Sequence, residues 1–297
     1  MTATPRPYNR AVDYDRVGRF LVETYDPAAI HVNWLRPRWE YMHYHPFIRD
    51  LDLTCIGVWE EGGGIVAVAH PEHALGPAYF QLHPDHAALK KDMLAYAEEH
   101  IAAERDGAKT LRIFVNDRDA EFQRLAADRG YEQQSGGEPM SHLPIPDPFP
   151  AIALPDGFRL QSLADDNDLL KLDRLLFRGF DHGDEPLEDG LDDRRFMQSA
   201  PNYDRDLNVV VVAPGGEFVS YCGMWIEPVH RLAYVEPVCT DPDYRRRGLA
   251  SAAVREGMRR CGERGATLAC VGATRPLYLS IGFRPVYNST AWRRTWT

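Results

Sequence analysis

Apolar residues recur at two spacings along the chain, and the spacing predicts which segments are helices and which are strands. In residues 12–25, 169–177 and 249–258 they return every three or four positions, which is typical of amphipathic helices. Residues 87–103 and 122–129 also read as helices. Short apolar runs predict strands at residues 53–59, 65–70, 78–82, 111–115, 158–163, 209–213, 218–225, 234–240 and 267–271. The mixture of elements predicts an α/β (α+β) fold with mostly antiparallel sheet flanked by helices.

The order of these elements occurs twice. Each half has a glycine-containing turn between two strands, at residues 60–64 and 214–216, which is a hairpin signal. The matching positions are Ala78 with Ala233, Tyr79 with Tyr234, Pro84 with Pro242 and Gly107 with Gly265. An internal repeat of one whole domain explains this pattern. The proline-dense segment 144–150 predicts a stiff linker, so we expect domains at residues 1–145 and 146–297.

Composition and net charge argue against several classes of function. The chain has 297 residues and a formal net charge of −10, which argues against nucleic-acid binding because phosphate contacts need basic surface. No apolar run has the roughly 20 residues of a membrane helix, and residues 1–7 are polar, so we expect neither a membrane partner nor a secretory signal. The chain has five cysteines, which is an odd number, and no pair of them has zinc-finger spacing. We expect reduced thiols in a cytoplasmic protein.

The stretch of residues 234–269 carries the most specific chemical signal. A short strand ends at Asp241-Pro242-Asp243, and a loop with small residues at Gly248 and Ala250 then leads into a helix. The first N–H groups of a helix lack internal partners and favour anions. Three arginines, at positions 245, 246 and 247, add positive charge. The pattern is neither a dinucleotide fingerprint nor a P-loop.

Two motifs resemble those of the GNAT acetyltransferase superfamily. Arg245, Gly248 and Ala250 match its pyrophosphate-loop pattern Gln/Arg-x-x-Gly-x-Gly/Ala, and residues 277–283 resemble its Leu-Tyr-x-x-x-Gly-Phe segment. Loop, helix, strand and Tyr…Gly-Phe follow in the family's order. The resemblance implies two tandem GNAT-like domains, an arrangement similar to that of mycothiol synthase-like proteins. The loop before Tyr278 departs from the family because it lacks the asparagine often found there.

The resemblance implies acetyl-CoA as cosubstrate and no metal. The pyrophosphate would meet backbone N–H groups of the loop, and the pantetheine arm would pair with a strand that splays from its neighbour. The candidate cofactor-binding residues are Val238, Cys239, Thr240, Arg245, Arg246, Arg247, Gly248, Leu249, Ala250 and Ser251.

Glu236 is the candidate general base. It is a carboxylate on an otherwise apolar strand, directly upstream of Val238. A lysine-like amine has a pKa of about 10.4, so its deprotonation at pH 7 costs roughly 4.6 kcal/mol, and a carboxylate in the cleft could accept that proton. The alternative is an exposed strand glutamate or a salt-bridge partner.

Tyr278 is the candidate general acid. The resemblance places a tyrosine at this position near the departing sulfur, and its ordinary pKa of about 10 keeps the hydroxyl protonated at neutral pH. The alternative is a core tyrosine with a satisfied hydroxyl. Cys239 and Cys270 have no histidine near them in sequence, and we expect both to be buried small hydrophobes.

The first half differs where the chemistry would be. Residues 87–92 stand where the second half has its loop, and they contain no glycine. Ala126 stands at the place of Tyr278. We expect the first half to be a degenerate, non-catalytic copy, because the loss of the glycine loop removes the physical basis of the anion site. The alternative is that both halves bind cofactor in different ways.

Two polar segments remain ambiguous. Residues 31–46 are rich in aromatic and histidine residues, which indicates a packed lid or interface more than a metal site. Residues 181–186 include acids that either hold a cationic amine or form a solvated loop. The same ambiguity applies to His230.

The combined expectation is an acetyl-CoA-dependent N-acetyltransferase that acts on a primary amine of a small molecule by direct attack on the thioester, with the second domain active. Two alternatives remain: a non-catalytic acyl-CoA-binding sensor or interaction module, and an acyltransferase for a longer chain. The sequence is compatible with a monomer or a homodimer.

Overall fold

The structure, a computed structural model, describes residues 4–186 and 190–297. Its helices are α1 (Arg10–Glu23), α2 (Arg36–Tyr44), α3 (Lys90–His100), α4 (Ala120–Asp128), α5 (Leu169–Gly179), α6 (Gly190–Gln198), α7 (Leu249–Glu263) and α8 (Pro276–Ile281). The strands are β1 (Pro5–Pro7), β2 (Gly57–Glu61), β3 (Gly64–His70), β4 (Pro77–Leu82), β5 (Ala103–Arg105), β6 (Ala108–Asn116), β7 (Glu132–Pro144), β8 (Arg159–Ser162), β9 (Asn208–Val212), β10 (Phe218–Glu227), β11 (Leu232–Thr240), β12 (Leu268–Val271) and β13 (Arg284–Trp296).

The chain forms two compact units, and their bounds differ from a simple division of the sequence. Unit 1 comprises Met1–His43, Phe47–Pro139 and Val286–Thr297, and unit 2 comprises Tyr44–Pro46 and Met140–Pro285. The sequence ranges 1–145 and 146–297 therefore differ from the units most at the C terminus, where Val286–Thr297 belongs to unit 1. Pairing explains the difference, because β13 runs antiparallel to β6 from Ser289 opposite Asn116 to Trp296 opposite Lys109.

The sheet of unit 1 follows the order β1-β2-β3-β4-β6-β13, with β5 paired to β6. Its main core packs α3 and α4 against the sheet, and Trp59, Met93, Leu94 and Ile113 are fully buried there. Residues 53–59, predicted as one strand, instead contain a short 3₁₀ turn, Leu53–Cys55, followed by β2. The helix predicted at 87–103 is likewise divided into a 3₁₀ segment, Pro84–Leu89, and α3.

The sheet of unit 2 runs from the last residues of β7 through β12-β11-β10-β9 to β8. One face packs against α7, and the opposite face packs against α5. The alternation of β9 shows this directly, because Val209 and Val211 belong to the α7 side and Val210 and Val212 to the α5 side. The predicted linker begins inside this sheet, since Pro144 pairs with Leu268.

Candidate active site

Strand β11 leaves one of its neighbours halfway along its length. Its parallel pairs with β12 end at Tyr234, which lies opposite Cys270, whereas its antiparallel pairs with β10 continue to Thr240 opposite Ser220. Beyond Tyr234, no partner strand is recorded on the β12 side within the described ranges. The backbone of residues 236–240 therefore presents an open edge on which an extended ligand could pair.

A bulge marks the point of departure. The β10–β11 register shifts between Cys222 and Met224, so that Glu236 and Pro237 lie opposite the single residue Gly223. A Cβ atom on Gly223 would lie 2.6 Å from the Glu236 carbonyl oxygen, and only glycine fits without a backbone shift. Trp225 Nε1 donates a hydrogen bond of 2.9 Å to the same oxygen. Sequence reasoning missed Gly223.

Glu236 and Tyr278 lie close enough to interact electrostatically. Glu236 is half-buried on β11, and Tyr278 is buried on α8, where its ring meets Phe283 edge-to-face at 5.8 Å. Burial raises the pKa of Tyr278 well above its ordinary value, and the negative charge of Glu236 raises it further against the opposing charge of Arg275. The hydroxyl is therefore protonated at neutral pH.

The start of α7 is uncapped and lies in open space. Gly248 is its N-cap with φ of +81°, no side chain caps the helix, and a Cβ on Gly248 would meet nothing within 4 Å. Ala252 N donates to Gly248 O at 3.0 Å, whereas the N–H groups of residues 249–251 have no recorded acceptor in the described chain. Uncapped N–H groups and the helix dipole together favour a bound anion. Leu249 is buried in the core, and Ala250 and Ser251 are half-buried.

The three loop arginines have different surroundings. Arg245 donates to the carbonyl oxygens of Thr240 (3.2 Å) and Gly179 (3.1 Å) and to Asp181 Oδ1 (2.8 Å). Arg247 donates to a backbone carbonyl at 3.2 Å and lies over an aromatic ring at 5.2 Å. Arg246 is exposed with φ of +64°, and no polar contact of its side chain is recorded within the described residues. Arg245 and Arg247 thus stabilise the loop, and Arg246 remains available to a ligand.

Arg178, at the end of α5, binds the acidic residues that precede this loop. Its Nε and Nη2 donate to the two carboxylate oxygens of Asp241 at 2.7 and 3.2 Å, and Nη2 also donates to Asp243 at 2.8 Å. Nη1 donates to Asp184 at 2.5 Å. Burial alone would raise the pKa of Asp241, but hydrogen bonds from Arg178 and from the Asp243 N–H outweigh it and lower that pKa. No spacing in the sequence distinguishes Arg178, so sequence reasoning missed it.

The acidic segment at residues 181–186 contacts this loop. Asp181 pairs with Arg245 at 2.8 Å and Asp184 with Arg178 at 2.5 Å. Residues 187–189 lie outside the described chain. At least two of the acids considered for amine binding are therefore engaged with arginines, and His230 donates its backbone N–H to Glu227 at 2.9 Å.

The remaining strand residues line the open edge of β11. Cys239 is buried, and burial raises the pKa of its thiol to about 12; the same holds for Cys270. All five cysteines are free, which agrees with the expectation of buried small hydrophobes for these two. Val238 packs on the α7 side, and the Thr240 hydroxyl lies 2.8 Å from the Ser220 hydroxyl.

Unit 1 has a counterpart of this strand and loop with different chemistry. Strand β4 pairs in parallel with β6 over two positions only. Gln81 stands where β11 has Glu236; its amide donates to His70 Nε2 at 2.9 Å and accepts from Trp34 N at 2.6 Å. Lys90, at the start of α3, pairs with Asp119 at 2.8 Å. A cavity of roughly 100 Å³ lies nearby, lined in part by aromatic rings.

Most of the aromatic and histidine-rich segment, residues 31–43, belongs to unit 1. His43 is fully buried, with its ring nitrogens 2.9 Å from the Tyr8 hydroxyl and 2.9 Å from the Trp39 carbonyl oxygen. Burial lowers the pKa of His43 to about 3. Across residues 4–186 and 190–297, no group of three or more histidine, cysteine or acidic residues has a metal-binding arrangement. In the same residues, no helix combines the length and apolar character needed to cross a bilayer.

Comparison with known proteins agrees with this architecture. Residues 168–283 match the acetyltransferase (GNAT) family model. A GCN5-related N-acetyltransferase from Sphaerobacter thermophilus is 16% identical with a TM-score of 0.67, over 99% of this chain and 95% of that chain. A tandem GNAT protein from the clavulanic acid biosynthesis pathway is also 16% identical, with a TM-score of 0.63 over 99% and 98%. An acetyltransferase of the GNAT family from Colwellia psychrerythraea is 9% identical, with a TM-score of 0.58 over 99% of both chains.

A comparison with curated protein sequences found no significant match. At these identities the solved structures establish the fold, and the family model identifies the segment that contains the uncapped helix start and Tyr278. Residues 168–283 are thus similar to the acetyltransferase (GNAT) family, and the fold of nearly the whole chain is similar to that of a tandem GNAT protein.

Proposed function

We propose that the protein transfers an acetyl group from acetyl-CoA to a primary amine of a small molecule, and that unit 2 performs the reaction. The match of residues 168–283 to the acetyltransferase (GNAT) family model supports acyl-CoA-dependent acetyl transfer in general. The observation that carries the finer proposal is the departure of β11 from β12 beside the uncapped start of α7, with Glu236 and Tyr278 within electrostatic reach of each other.

The residues present fit acetyl-CoA as the cosubstrate. The N–H groups of Leu249, Ala250 and Ser251 and the side chain of Arg246 would hold its pyrophosphate, since open backbone donors and a free guanidinium suit that anion. The open edge of Val238, Cys239 and Thr240 would pair with the pantetheine amides. A backbone N–H on this edge would also stabilise negative charge on the thioester oxygen during attack.

Glu236 would act as the general base. Removing a proton from a lysine-like amine costs roughly 4.6 kcal/mol at pH 7. Its position at the bulge, where the strand separates, supports this role. The carboxylate would accept the proton as the nitrogen–carbon bond forms.

Tyr278 would act as the general acid. As the carbon–sulfur bond breaks, the hydroxyl proton would neutralise the leaving thiolate. The raised pKa of Tyr278 keeps that proton in place at neutral pH. A raised pKa also makes the Tyr278 hydroxyl a weaker acid, so the proton moves to the leaving thiolate only if the thiolate is the stronger base. Removal of water from the thiolate makes it more basic, and a buried site favours this.

Unit 1 would be non-catalytic. Gln81 cannot accept the amine proton, and both ends of its amide are already hydrogen-bonded. The helix start in unit 1 has no glycine, and Lys90 there pairs with Asp119. Unit 1 would therefore serve a role other than catalysis. Five free thiols support a cytoplasmic location.

Acetyl-CoA turnover with an amine panel, followed by detection of released thiol, tests the proposal. Gly248→Glu should abolish turnover because it places a carboxylate at the anion site. The matched control is Gly265→Glu, which also has positive φ (+92°) and open space around its Cβ but lies beyond the C-terminal end of α7. Equal loss in both variants would contradict the site assignment. Binding of acetyl-CoA without turnover of any amine would favour a non-catalytic sensor.

A further inference from the structure

The guanidinium of Arg38 in unit 1 is enclosed by two aromatic rings and two carboxylates. Its central carbon lies 4.0 Å from the ring centroid of Trp34 and 5.1 Å from that of Tyr79. Its Nε and Nη2 donate to the two oxygens of Glu72, both at 3.0 Å, and Nη1 lies 2.7 Å from Glu138. This arrangement combines a bidentate carboxylate contact with cation–π contacts on one planar cation.

The carboxylates and rings around Arg38 also contact one another. The Tyr79 hydroxyl lies 3.3 Å from Glu72 and 3.2 Å from Glu138. On the sheet, Phe114 stacks against Tyr79 at 4.8 Å with an interplanar angle of 11°. These contacts do not involve Arg38, so they would keep the site in place without its side chain.

Trp34 is held in the same way. Its backbone N–H donates to Gln81 at 2.6 Å, and its ring packs edge-to-face on His70 at 4.5 Å. His70 is itself fixed, because its Nδ1 lies 2.8 Å from the Pro71 carbonyl oxygen. The surrounding contacts thus fix Trp34 as well as Tyr79.

The charges of the site require a cation. Two carboxylates face one guanidinium, and the Arg38 side chain is only 12% exposed. Burial tends to raise the pKa of Glu72, but the charge and hydrogen bonds of Arg38 outweigh it and lower that pKa. Glu72 is therefore ionised at neutral pH, and a partly buried carboxylate that loses its partner is strongly destabilising. A planar bidentate donor fits better than an ammonium ion here.

We propose that Trp34, Tyr79, Glu72 and Glu138 form a cation-binding site for planar guanidinium groups, which the chain fills with its own Arg38. In the wild-type protein this internal ligand closes the site to external cations. Removal of the Arg38 side chain opens the site to a small guanidinium compound in solution. The proposal does not depend on which reaction unit 2 performs.

Thermal unfolding of Arg38→Ala in the presence of methylguanidinium chloride tests the proposal, with sodium chloride at equal ionic strength as reference. We expect the variant's Tm to rise saturably with methylguanidinium, by about 3 °C at tenfold excess over Kd. Wild type should not respond. The matched control is Arg129→Ala, because Arg129 also makes a two-point contact with a glutamate of unit 1, Glu98, but no ring face is recorded for it within the described residues.

Two further variants make the result decisive. Glu138→Gln in the Arg38→Ala background should weaken the methylguanidinium response severalfold, since it removes one of the two charges. If Arg38→Ala is recovered unfolded, methylguanidinium should restore its near-ultraviolet circular dichroism on refolding. Arg38→Met keeps part of the apolar stem and should respond in the same way. A Tm that rises linearly with methylguanidinium in both Arg38→Ala and Arg129→Ala would overturn the proposal. The absence of any rise in both Arg38→Ala and Arg38→Met would also overturn it.

Discussion

Arg245 and Asp181 form an ion pair of 2.8 Å between the loop before α7 and the segment that follows α5. The pair is well exposed on both sides, and the same guanidinium also donates to the carbonyl oxygens of Thr240 and Gly179. The first residue of the GNAT-like loop motif therefore ties the end of β11 to the end of α5. An acid lies beside the site at which the cosubstrate's phosphates are proposed to bind.

Asp181→Asn should tighten acyl-CoA binding about two- to fivefold at low salt. The substitution removes a negative charge near the proposed phosphate site and leaves Arg245 its two carbonyl contacts, and an exposed charge has an effect of this size. Titration calorimetry at low and high salt checks it, because screening should erase the difference at about 1 M salt. Asp192→Asn, an exposed acid paired with Arg195, is the control. Weaker binding in Asp181→Asn would show instead that Asp181 positions Arg245.

Arg178→Met should lower the free energy of unfolding by about 2 kcal/mol or more. The change leaves Asp241 buried without its bidentate partner, and breaking such a pair is costly. Asp184 and Asp243 are exposed and contribute less. Denaturant unfolding measures the loss. Arg195→Met removes an exposed arginine and should change stability by less than about 0.5 kcal/mol; an equal loss there would contradict the structural role of Arg178.

Lowering the pH should reduce the free energy of unfolding, in part because Asp241 becomes protonated. The folded pKa of Asp241 lies below its ordinary value, and an unfolded aspartate titrates at about 3.9. Its contribution is therefore fully present above that value and is lost as the pH falls through the lower, folded pKa. Unfolding free energies measured from pH 6 to pH 3 should fall less steeply for Asp241→Asn than for wild type. Identical slopes would mean that other carboxylates carry the acid sensitivity.

Glu236→Gln and Tyr278→Phe should each lower kcat by about 10²–10⁴ with little change in acyl-CoA affinity. Each removes a proton acceptor or donor that acts only during the reaction. Steady-state kinetics and calorimetry separate the two effects. Glu217→Gln, in an exposed hairpin turn of the same unit, is the control and should keep full activity. Full activity in Glu236→Gln would show that a different base accepts the amine proton.

Gly223→Ala should destabilise unit 2 by about 1–3 kcal/mol. The new Cβ would lie 2.6 Å from the Glu236 carbonyl oxygen, so the bulge would have to move. Activity should fall with it, because the bulge carries Glu236. Gly64→Ala is the control: its Cβ would lie 3.6 Å from the nearest atom and φ there is not positive. Crystallography of the variant would show whether β11 shifts.

Local patterns in the sequence predicted much of the fold. The helical spacing of α1, α5 and α7 and the apolar strands β9 to β11 were recognised because their periodicity reflects which face is buried. The loop before α7 was recognised because only small residues let backbone approach an anion. Strands β7 and β13 were missed, since both are largely polar, and β7 also contains Gly136 and Pro139, which argue against a strand.

The sequence by itself determined many of the helices and core strands, because each depends on spacing within a short segment. Tertiary structure decided the rest. The pairing of β13 with β6 places the last residues in unit 1, and the end of β11–β12 pairing at Tyr234 creates the open edge. Arg178 pairs with Asp241 and Arg245 with Asp181, and both partners lie more than sixty residues away in the chain. Periodicity reports which face of an element is buried, whereas strand register and ion-pair partners depend on which distant segments the folded chain brings together.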